Sequence, residues 1–208
     1  MTVDLHERLS AGLEKLKLVL TDEQQDLLLD YLELLHKWNQ HFNLTAVREI
    51  EKMLSVHLFD SLSISRFIKG DTLLDVGTGA GLPGIPLAIV YPDKKVTLLD
   101  SNGKKIRFCR QAVMELGLEN VNPIQMRIEK MDREVHFATI ISRAFSDLDH
   151  MLKMIGPLMD NKTQLLAMKG QVPEGELENL IRQGFKVHLE KLEVPEVNWL
   201  RHLITIRK

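Results

Sequence analysis

Two periodicities of hydrophobic residues divide the chain near residue 70. Before it, apolar side chains recur every three or four positions, which is the spacing of amphipathic helices. The two apolar stripes are Leu5, Leu9, Leu13 and Leu16, then Leu28, Tyr31, Leu35, Trp38 and Phe42. Thr21 followed by Gln24 is a capping-box pattern and predicts the start of the second helix. A third predicted helix, residues 48–68, is bent near Asp60 to Ser63. These helices predict a cap over residues 1–69, with Trp38 and Phe42 in its core.

After residue 70, β-rich runs alternate with helical ones, which predicts βαβ units and a mostly parallel sheet over residues 70–208. Seven runs have strand character: "TLLDV", "KVTLLD", "NVNPIQM", "FATIIS", "TQLLAMK", "KVHLEKLEV" and "RHLITIRK". The last two are separated by residues 195–200 alone, too few for a helix. They therefore predict a hairpin, so that a seven-stranded α/β sheet ends in one antiparallel strand.

Composition places the chain among ordinary globular proteins, with 44% hydrophobic and 27% charged residues. The first twenty residues carry Asp4, Glu7 and Glu14 without an apolar core, and no apolar run reaches the roughly 18 residues of a membrane span. We therefore expect a cytoplasmic protein with no membrane partner. The lone Cys109 predicts a buried apolar side chain rather than a nucleophile. The eight histidines show no metal-ligand spacing, and His57 is interpreted as a packing residue.

The segment "DVGTGAGLPGIP", residues 75–86, joins the first predicted strand to a helix through a glycine-rich turn. Gly77, Gly79 and Gly81 give the pattern GxGxG, whereas Gly79, Gly81 and Gly84 give the GxGxxG of a dinucleotide site. Either pattern alone is weak evidence. In open parallel sheets such a turn faces the ligand crevice at the carboxyl ends of the strands.

The residues around the turn favour a cationic nucleoside over a pyrophosphate. Asp75 ends the strand, and we expect its carboxylate to face the crevice, where it attracts an ammonium group and repels phosphate. Pro83 and Pro86 remove backbone donors that a phosphate would use. Asp100 ends the second strand and is placed to bind both ribose hydroxyls, the alternative being that it caps the helix starting near Gly103. S-adenosylmethionine meets these conditions.

The chain resembles a known family over nearly its whole length. The segments that carry the resemblance are "LHKWNQHFNLTAV" at 35–47, "HLFDSL" at 57–62, "DVGTGAGLPGIPLAI" at 75–89, "LLDSNGKKIRF" at 98–108, "ISRAF" at 141–145, "MKGQ" at 168–171 and "RHL" at 201–203. Together they resemble the RsmG (GidB) methyltransferases, which make 7-methylguanosine in bacterial 16S ribosomal RNA. The resemblance implies a Rossmann-like class I methyltransferase fold and S-adenosylmethionine as methyl donor.

Carried over position by position, the resemblance implies cofactor contacts at Gly77, Leu82, Ile128, Glu129 and Arg143. We also predict that Gly79 in the glycine turn binds the cofactor. The alternative for Glu129 is a solvated charge, and for Arg143 a surface ion pair. Guanine N7 has an in-plane lone pair and no hydrogen, so no catalytic general base is required. The fourth strand ends in "SRAF" and lacks the Asn/Asp-Pro-Pro-aromatic motif of enzymes that methylate exocyclic amines. Arg143 and Phe145 are candidates for positioning the guanine, with core packing the alternative for Phe145.

Basic residues near the predicted strand ends are candidates for RNA binding, although charged helix faces are commonly only solvated. They are Lys104, Lys105, Arg107 and Arg110, together with Lys169, Arg201 and His202. We expect the partner to be 16S rRNA or a 30S assembly intermediate, and the protein to be a monomer. Two other functions stay open: an NAD-dependent oxidoreductase that uses the second glycine pattern, and a non-catalytic RNA-binding module of ribosome assembly.

Overall fold

A computed structural model describes residues 4–143, 147–172 and 174–208. The chain begins with two helices, α1 (Leu5–Leu16) and α2 (Asp22–Phe42). The predicted capping box is confirmed, because Thr21 and Gln24 each accept a hydrogen bond from the other's backbone N–H. The core position predicted for Phe42 is wrong. This side chain lies at the end of α2, is 42% exposed, and contacts the Trp38 ring at 5.0 Å between centroids.

The third predicted helix has an irregular backbone. It consists of α3 (Ile50–Met53), a π-helical segment (Leu54–Phe59), α4 (Asp60–Leu62) and a 3-10 turn (Ser65–Phe67). The departure from α geometry begins at Leu54, earlier than the expected bend near Asp60. A π-helical turn inserts a residue into the helix and rotates the side chains that follow, and such turns are common at functional sites.

The predicted seven-stranded sheet with one antiparallel strand is confirmed. Its strands are β1 (Thr72–Val76), β2 (Lys95–Asp100), β3 (Val121–Gln125), β4 (Thr139–Ser142), β5 (Gln164–Lys169), β6 (Lys186–Lys191) and β7 (His202–Arg207), in the order β3-β2-β1-β4-β5-β7-β6. The antiparallel strand β7 lies between β5 and β6 and not at the edge. Its apolar residues Leu203, Ile204 and Ile206 are fully buried, whereas the largely polar β6 tolerates the exposed edge.

Helices cover both faces of the sheet, as in a doubly wound fold. They are α5 (Gly84–Val90), α6 (Gly103–Glu115), α7 (Leu148–Ile155) and α8 (Glu174–Arg182). Leu73 and Leu98 pack with α5, α6 and the N-terminal helices, whereas Leu74 and Leu99 pack with α7 and α8. The cap therefore shares its core with the sheet. Within the described ranges no helix has both the length and the apolarity to cross a membrane.

Candidate functional site

A cavity of about 220 Å³ opens at the carboxyl ends of β1, β2 and β3. It brings together four of the residues predicted to bind the cofactor: Gly77, Asp100, Ile128 and Glu129. Its other lining residues are Val76, Leu99, Ser101, Met126, Arg127 and Met154. These four residues lie at or just after the carboxyl ends of three strands, and they meet because parallel strands end at one edge of the sheet.

Asp100 provides a carboxylate at the floor of this cavity, where the side chain is mostly buried. One oxygen accepts the backbone N–H of Gly79 at 3.0 Å and the other accepts that of Asn102 at 2.8 Å. Because an ionised carboxylate accepts about four hydrogen bonds, room remains for two hydroxyl donors. The alternative role as helix cap is wrong, since the side chain of Asn102 caps α6. Apolar walls and a carboxylate with spare acceptors fit the adenosine of S-adenosylmethionine.

Asp75 is oriented differently from the sequence expectation. Alternation along β1 directs it toward α5, the same side as Leu73, so its carboxylate lies under the glycine turn and not in the crevice. It is 1% exposed, and one oxygen accepts hydrogen bonds from the Thr78 hydroxyl at 2.7 Å and the Gly84 N–H at 2.9 Å. The expected orientation of Asp75 into the crevice is therefore wrong, and the residue stabilises the turn from below.

The backbone donors at the start of α5 are engaged inside the turn. Gly81 and Leu82 donate to the Thr78 carbonyl, Ile85 donates to the Gly81 carbonyl, and Gly84 donates to Asp75. Pro83 and Pro86 have no N–H to offer. A pyrophosphate bound by the second glycine pattern needs such donors, so the structure disfavours a dinucleotide at this helix.

The N-terminal cap holds the glycine turn in place. The Tyr31 hydroxyl of α2 is fully buried and donates a 2.7 Å hydrogen bond to the carbonyl of Ala80. Gly79 is tied to Asp100, while the side chain of Leu82 is 3% exposed and packs in the core. Neither Gly79 nor Leu82 lines the cavity, and their predicted cofactor contacts stay predictions.

Because Asp75 is buried, its carboxyl group lowers the stability of the fold as the pH rises. Burial raises the pKa of Asp75 to about 6 from 3.8, although hydrogen bonds from Thr78 and Gly84 oppose the shift. The folded chain therefore binds this proton more tightly than the unfolded chain, so the carboxyl costs stability as the pH rises from about 4 to 6. We expect the melting temperature of Asp75→Asn, relative to that of the wild type, to increase as the pH rises through this window and to remain higher above pH 7.

Thermal unfolding by circular dichroism between pH 4.5 and 7.5 measures the effect, which we expect to be on the order of 1–3 kcal/mol. Asp93→Asn is the control, because Asp93 is exposed and its substitution tests charge removal without burial. A gain for Asp75→Asn that is constant with pH, or that shrinks as the pH rises, contradicts the assignment.

Arg143 and Arg201 meet at one buried carboxylate, Asp60. The Arg143 guanidinium donates a 3.2 Å hydrogen bond to Oδ2 of Asp60, and Arg201 Nε lies 2.9 Å from Oδ1. This second contact is an ion pair and does not count as a hydrogen bond. Asp60 is 1% exposed, whereas the two arginine side chains are 28% and 24% exposed. Arg143 is therefore not in a surface ion pair, and Arg201 faces a carboxylate of the cap.

Two histidines of this region are buried. His202 was predicted as an RNA contact, but its side chain is only 8% exposed. Its Nδ1 donates a 3.1 Å hydrogen bond to the carbonyl of Gly170. His202 is therefore a structural residue of the β5–β7 pairing. His57 lies 2.9 Å from the Thr45 hydroxyl through Nε2. Burial, then the charge of Arg143, lowers the pKa of His57 to about 4, so its ring is neutral near pH 7.

The remaining predicted RNA contacts have different surroundings. Lys104, Arg107 and Arg110 are exposed on α6, whereas Lys105 turns toward Asp100, with Nζ 3.7 Å from its carboxylate. Lys105 is therefore directed at the edge of the cofactor crevice and not at the outer face of α6. Lys169 ends β5, is half-buried, and has its pKa lowered by that burial. Phe145 lies outside the described residues.

Sequence reasoning missed the places of Asp60 and Trp199 beside the two arginines. Asp60 stands in the apolar run "SVHLFDSL", and an acidic residue in such a run signals a buried charge that needs a partner. Trp199 precedes Arg201 in a polar loop and is 52% exposed, with the Arg201 guanidinium 5.9 Å from its ring centre.

Comparisons with known proteins agree with this geometry. Residues 24–204 match the family model GidB, rRNA small subunit methyltransferase G. A ribosomal RNA small subunit methyltransferase G of Pseudomonas entomophila is 50% identical over 205 residues, covering 97% of this chain and 94% of that protein. One from Alteromonas mediterranea is 45% identical, covering 99% and 97%. The solved structure of a SAM dependent methyltransferase from Aquifex aeolicus has the same fold, with a TM-score of 0.56 at 22% identity over 76% of this chain and 93% of that one.

Proposed function

The chain belongs to the rRNA small subunit methyltransferase G family, and on that premise we propose that it methylates N7 of one guanine in 16S ribosomal RNA with S-adenosylmethionine. The observation that carries the proposal is the cavity at the ends of β1–β3, where Gly77, Asp100, Ile128 and Glu129 converge. Its carboxylates and apolar walls suit a nucleoside. The engaged donors of the glycine turn do not suit a pyrophosphate.

We assign the adenosine half of the cofactor to this cavity. Asp100 would accept hydrogen bonds from the ribose hydroxyls, while Leu99, Met126 and Ile128 would provide apolar surface for adenine. Glu129 lies at the exposed side of the same cavity, within reach of a ribose hydroxyl or the adenine amine. Gly77, which directly follows β1, would contact the cofactor through its backbone. When bound, S-adenosylmethionine supplies a methyl group carried on a sulfonium centre.

Guanine N7 attacks without losing a proton, because its lone pair lies in the ring plane and carries no hydrogen. A bond forms from N7 to the methyl carbon as the bond from that carbon to sulfur breaks, and the positive charge moves from sulfur to the base. The residues around the site therefore need only exclude water and align the three atoms. The neutral His57, buried against Thr45, is not required as a base.

We place the guanine on the side of the crevice where Arg143 and Arg201 lie. Arg143 directly follows β4, whose Ser142 pairs with Val76 of the cavity wall. An arginine commonly binds guanine through O6 and N7 together, but here N7 must stay free. A guanidinium in this position therefore holds O6 alone or an RNA phosphate. Trp199, exposed beside Arg201, is a candidate for stacking on an extruded base.

We further propose that the substrate is an assembly intermediate of the small subunit in the cytoplasm, bound by a monomer of this chain. The formal net charge of −2 gives little general attraction for naked RNA, so bound ribosomal proteins are expected to assist docking. Methylation of naked 16S RNA and of small-subunit particles from a strain that lacks the gene, compared at equal ionic strength, tests this choice, and we expect the particles to be methylated faster.

Mapping 7-methylguanosine in 16S RNA tests the function itself. RNA from a strain that lacks the gene is expected to lose one 7-methylguanosine, which the plasmid-borne wild-type gene restores. An unchanged modification map contradicts the proposal and favours the non-catalytic assembly role. Equilibrium titration of the purified chain adds a second arm: tight binding of NADH without binding of S-adenosylhomocysteine supports the oxidoreductase.

A further inference from the structure

Asp60 joins three segments that are far apart in the chain. It begins α4 in the N-terminal cap, Arg143 follows β4, and Arg201 precedes β7. The carboxylate contacts both guanidinium groups through different oxygens, at 3.2 and 2.9 Å. Both arginines border the edge of the sheet that carries the cofactor cavity. Within the described ranges, Asp60 of the cap is the group that contacts both arginines.

The charges in this cluster do not cancel. Asp60 contributes one negative charge and the arginines contribute two positive charges, so one positive charge is left at the crevice. A fully buried carboxylate costs free energy unless it is paired, and each arginine helps to pay this desolvation cost. The same carboxylate reduces the repulsion between the guanidinium groups, which holds them close together. The exposed indole ring of Trp199 lies beside Arg201, with the guanidinium carbon 5.9 Å from the ring centre.

The backbone of the cap is shaped to deliver this carboxylate. The π-helical segment Leu54–Phe59 ends directly before Asp60 and changes the direction of the side chains that follow it. His57 in the same segment is buried, and its ring is neutral near pH 7. It therefore does not neutralise the charge of Asp60. The two arginines are therefore the cations that the structure places at this carboxylate.

We propose that Asp60 is a positioning residue for methyl transfer, which fixes Arg143 and Arg201 in the spacing that receives the RNA guanine and its phosphate. It acts through the arginines and does not touch the cofactor. This inference rests on the proposed RNA methylation and assigns to the cap a part in orienting the substrate. Without the carboxylate, the arginines repel each other and take up many arrangements, most of which do not align N7.

The variant Asp60→Asn tests the proposal because it separates the attraction of the arginines for RNA from their alignment of the guanine. We expect its kcat on 30S particles to fall at least tenfold, while its affinity for S-adenosylhomocysteine stays within about threefold of the wild type. Its binding of an unrelated RNA is expected to be as tight or tighter, with a slope of log K against log salt steeper by about one. A purely structural role for Asp60 predicts a loss that follows the folded fraction, with no change in the salt slope.

Two further variants keep the test decisive. Glu190→Gln is the matched control, because Glu190 pairs with Arg66 at 2.8 Å on the outer strand β6, and we expect unchanged kinetics. The double variant Asp60→Asn with Arg201→Gln removes one charge of each sign and is measured beside the two single variants. If Asp60 acts through Arg201, the double variant loses less activity than the product of the two single losses.

The outcomes also separate this inference from the function on which it rests. Wild-type protein that transfers no methyl group to 16S RNA, either naked or in small-subunit particles, overturns the proposed function and this inference together. An active wild type with a folded Asp60→Asn of normal kcat overturns the positioning role alone. The same holds if the folded variant loses S-adenosylhomocysteine affinity in parallel with activity, since Asp60 then supports the cofactor site.

Discussion

Gly77→Val is expected to abolish binding of S-adenosylmethionine in a chain that still folds. Gly77 follows β1, lines the cofactor cavity, and has φ of 71°, in the left-handed region that β-branched residues avoid. A valine here strains the backbone and adds a branched side chain to the wall where the backbone approaches the ligand. We expect the affinity for S-adenosylhomocysteine, measured by titration calorimetry, to fall by about 100-fold or more, which corresponds to roughly 2.7 kcal/mol.

Gly117→Val separates backbone strain from loss of the ligand site. Gly117 has φ of 62°, and a Cβ added there meets no atom within 4 Å. Both variants are therefore expected to lose roughly 1–3 kcal/mol of stability from strain. Only Gly77→Val is expected to lose cofactor binding. The affinity of Gly117→Val for S-adenosylhomocysteine is expected to stay within about twofold of the wild-type value. Unaltered affinity in a folded Gly77→Val removes Gly77 from the site, and equal losses in the two variants make the effect one of folding.

Much of the fold could be predicted from the sequence because periodicity reports burial directly. The strand runs are short, apolar and β-branched, and the helical segments between them leave a parallel sheet as the compact arrangement. The position of β7 inside the sheet was not predictable, because a hairpin specifies neighbours but not which strand takes the edge. The π-helical segment before Asp60 was also not predicted, because the spacing of apolar residues does not reveal a single residue inserted into a helix.

The candidate site was predictable where a residue's position along a strand decides its place. Gly77, Asp100 and Glu129 follow three strand ends, and parallel pairing brings those ends together. Side-chain direction was harder to predict. Asp75 points below the turn by strand alternation, and His202 is covered by the Gly170 carbonyl. The partner of His202 is 32 residues away in the chain, which a single sequence does not reveal, whereas the orientation of Asp75 follows from the alternation of side chains along β1.

Arg143→Ala is expected to lower methyl transfer far more than stability. The variant removes one of two cations from Asp60, but Arg201 stays 2.9 Å from that carboxylate, so no buried charge is left unpaired. We therefore expect a stability loss of roughly 1–2 kcal/mol, seen as a fall in melting temperature of about 2–8 °C. Loss of a guanidinium that aligns substrate or cofactor is expected to lower kcat/KM about 100-fold, or roughly 2.7 kcal/mol of activation free energy.

The matched control for this substitution is Arg66→Ala. Arg66 also pairs with a carboxylate of another segment, Glu190 at 2.8 Å, but it lies by the outer strand β6. It is expected to change stability by less than about 1 kcal/mol and to leave kcat/KM unchanged. The titrated affinity for S-adenosylhomocysteine divides the loss in Arg143→Ala further. A parallel fall in that affinity assigns Arg143 to the cofactor, whereas unchanged affinity assigns it to the guanine. A large drop in melting temperature with normal turnover makes Arg143 a structural residue, because an arginine that only neutralises Asp60 has no effect on the aligned reactants.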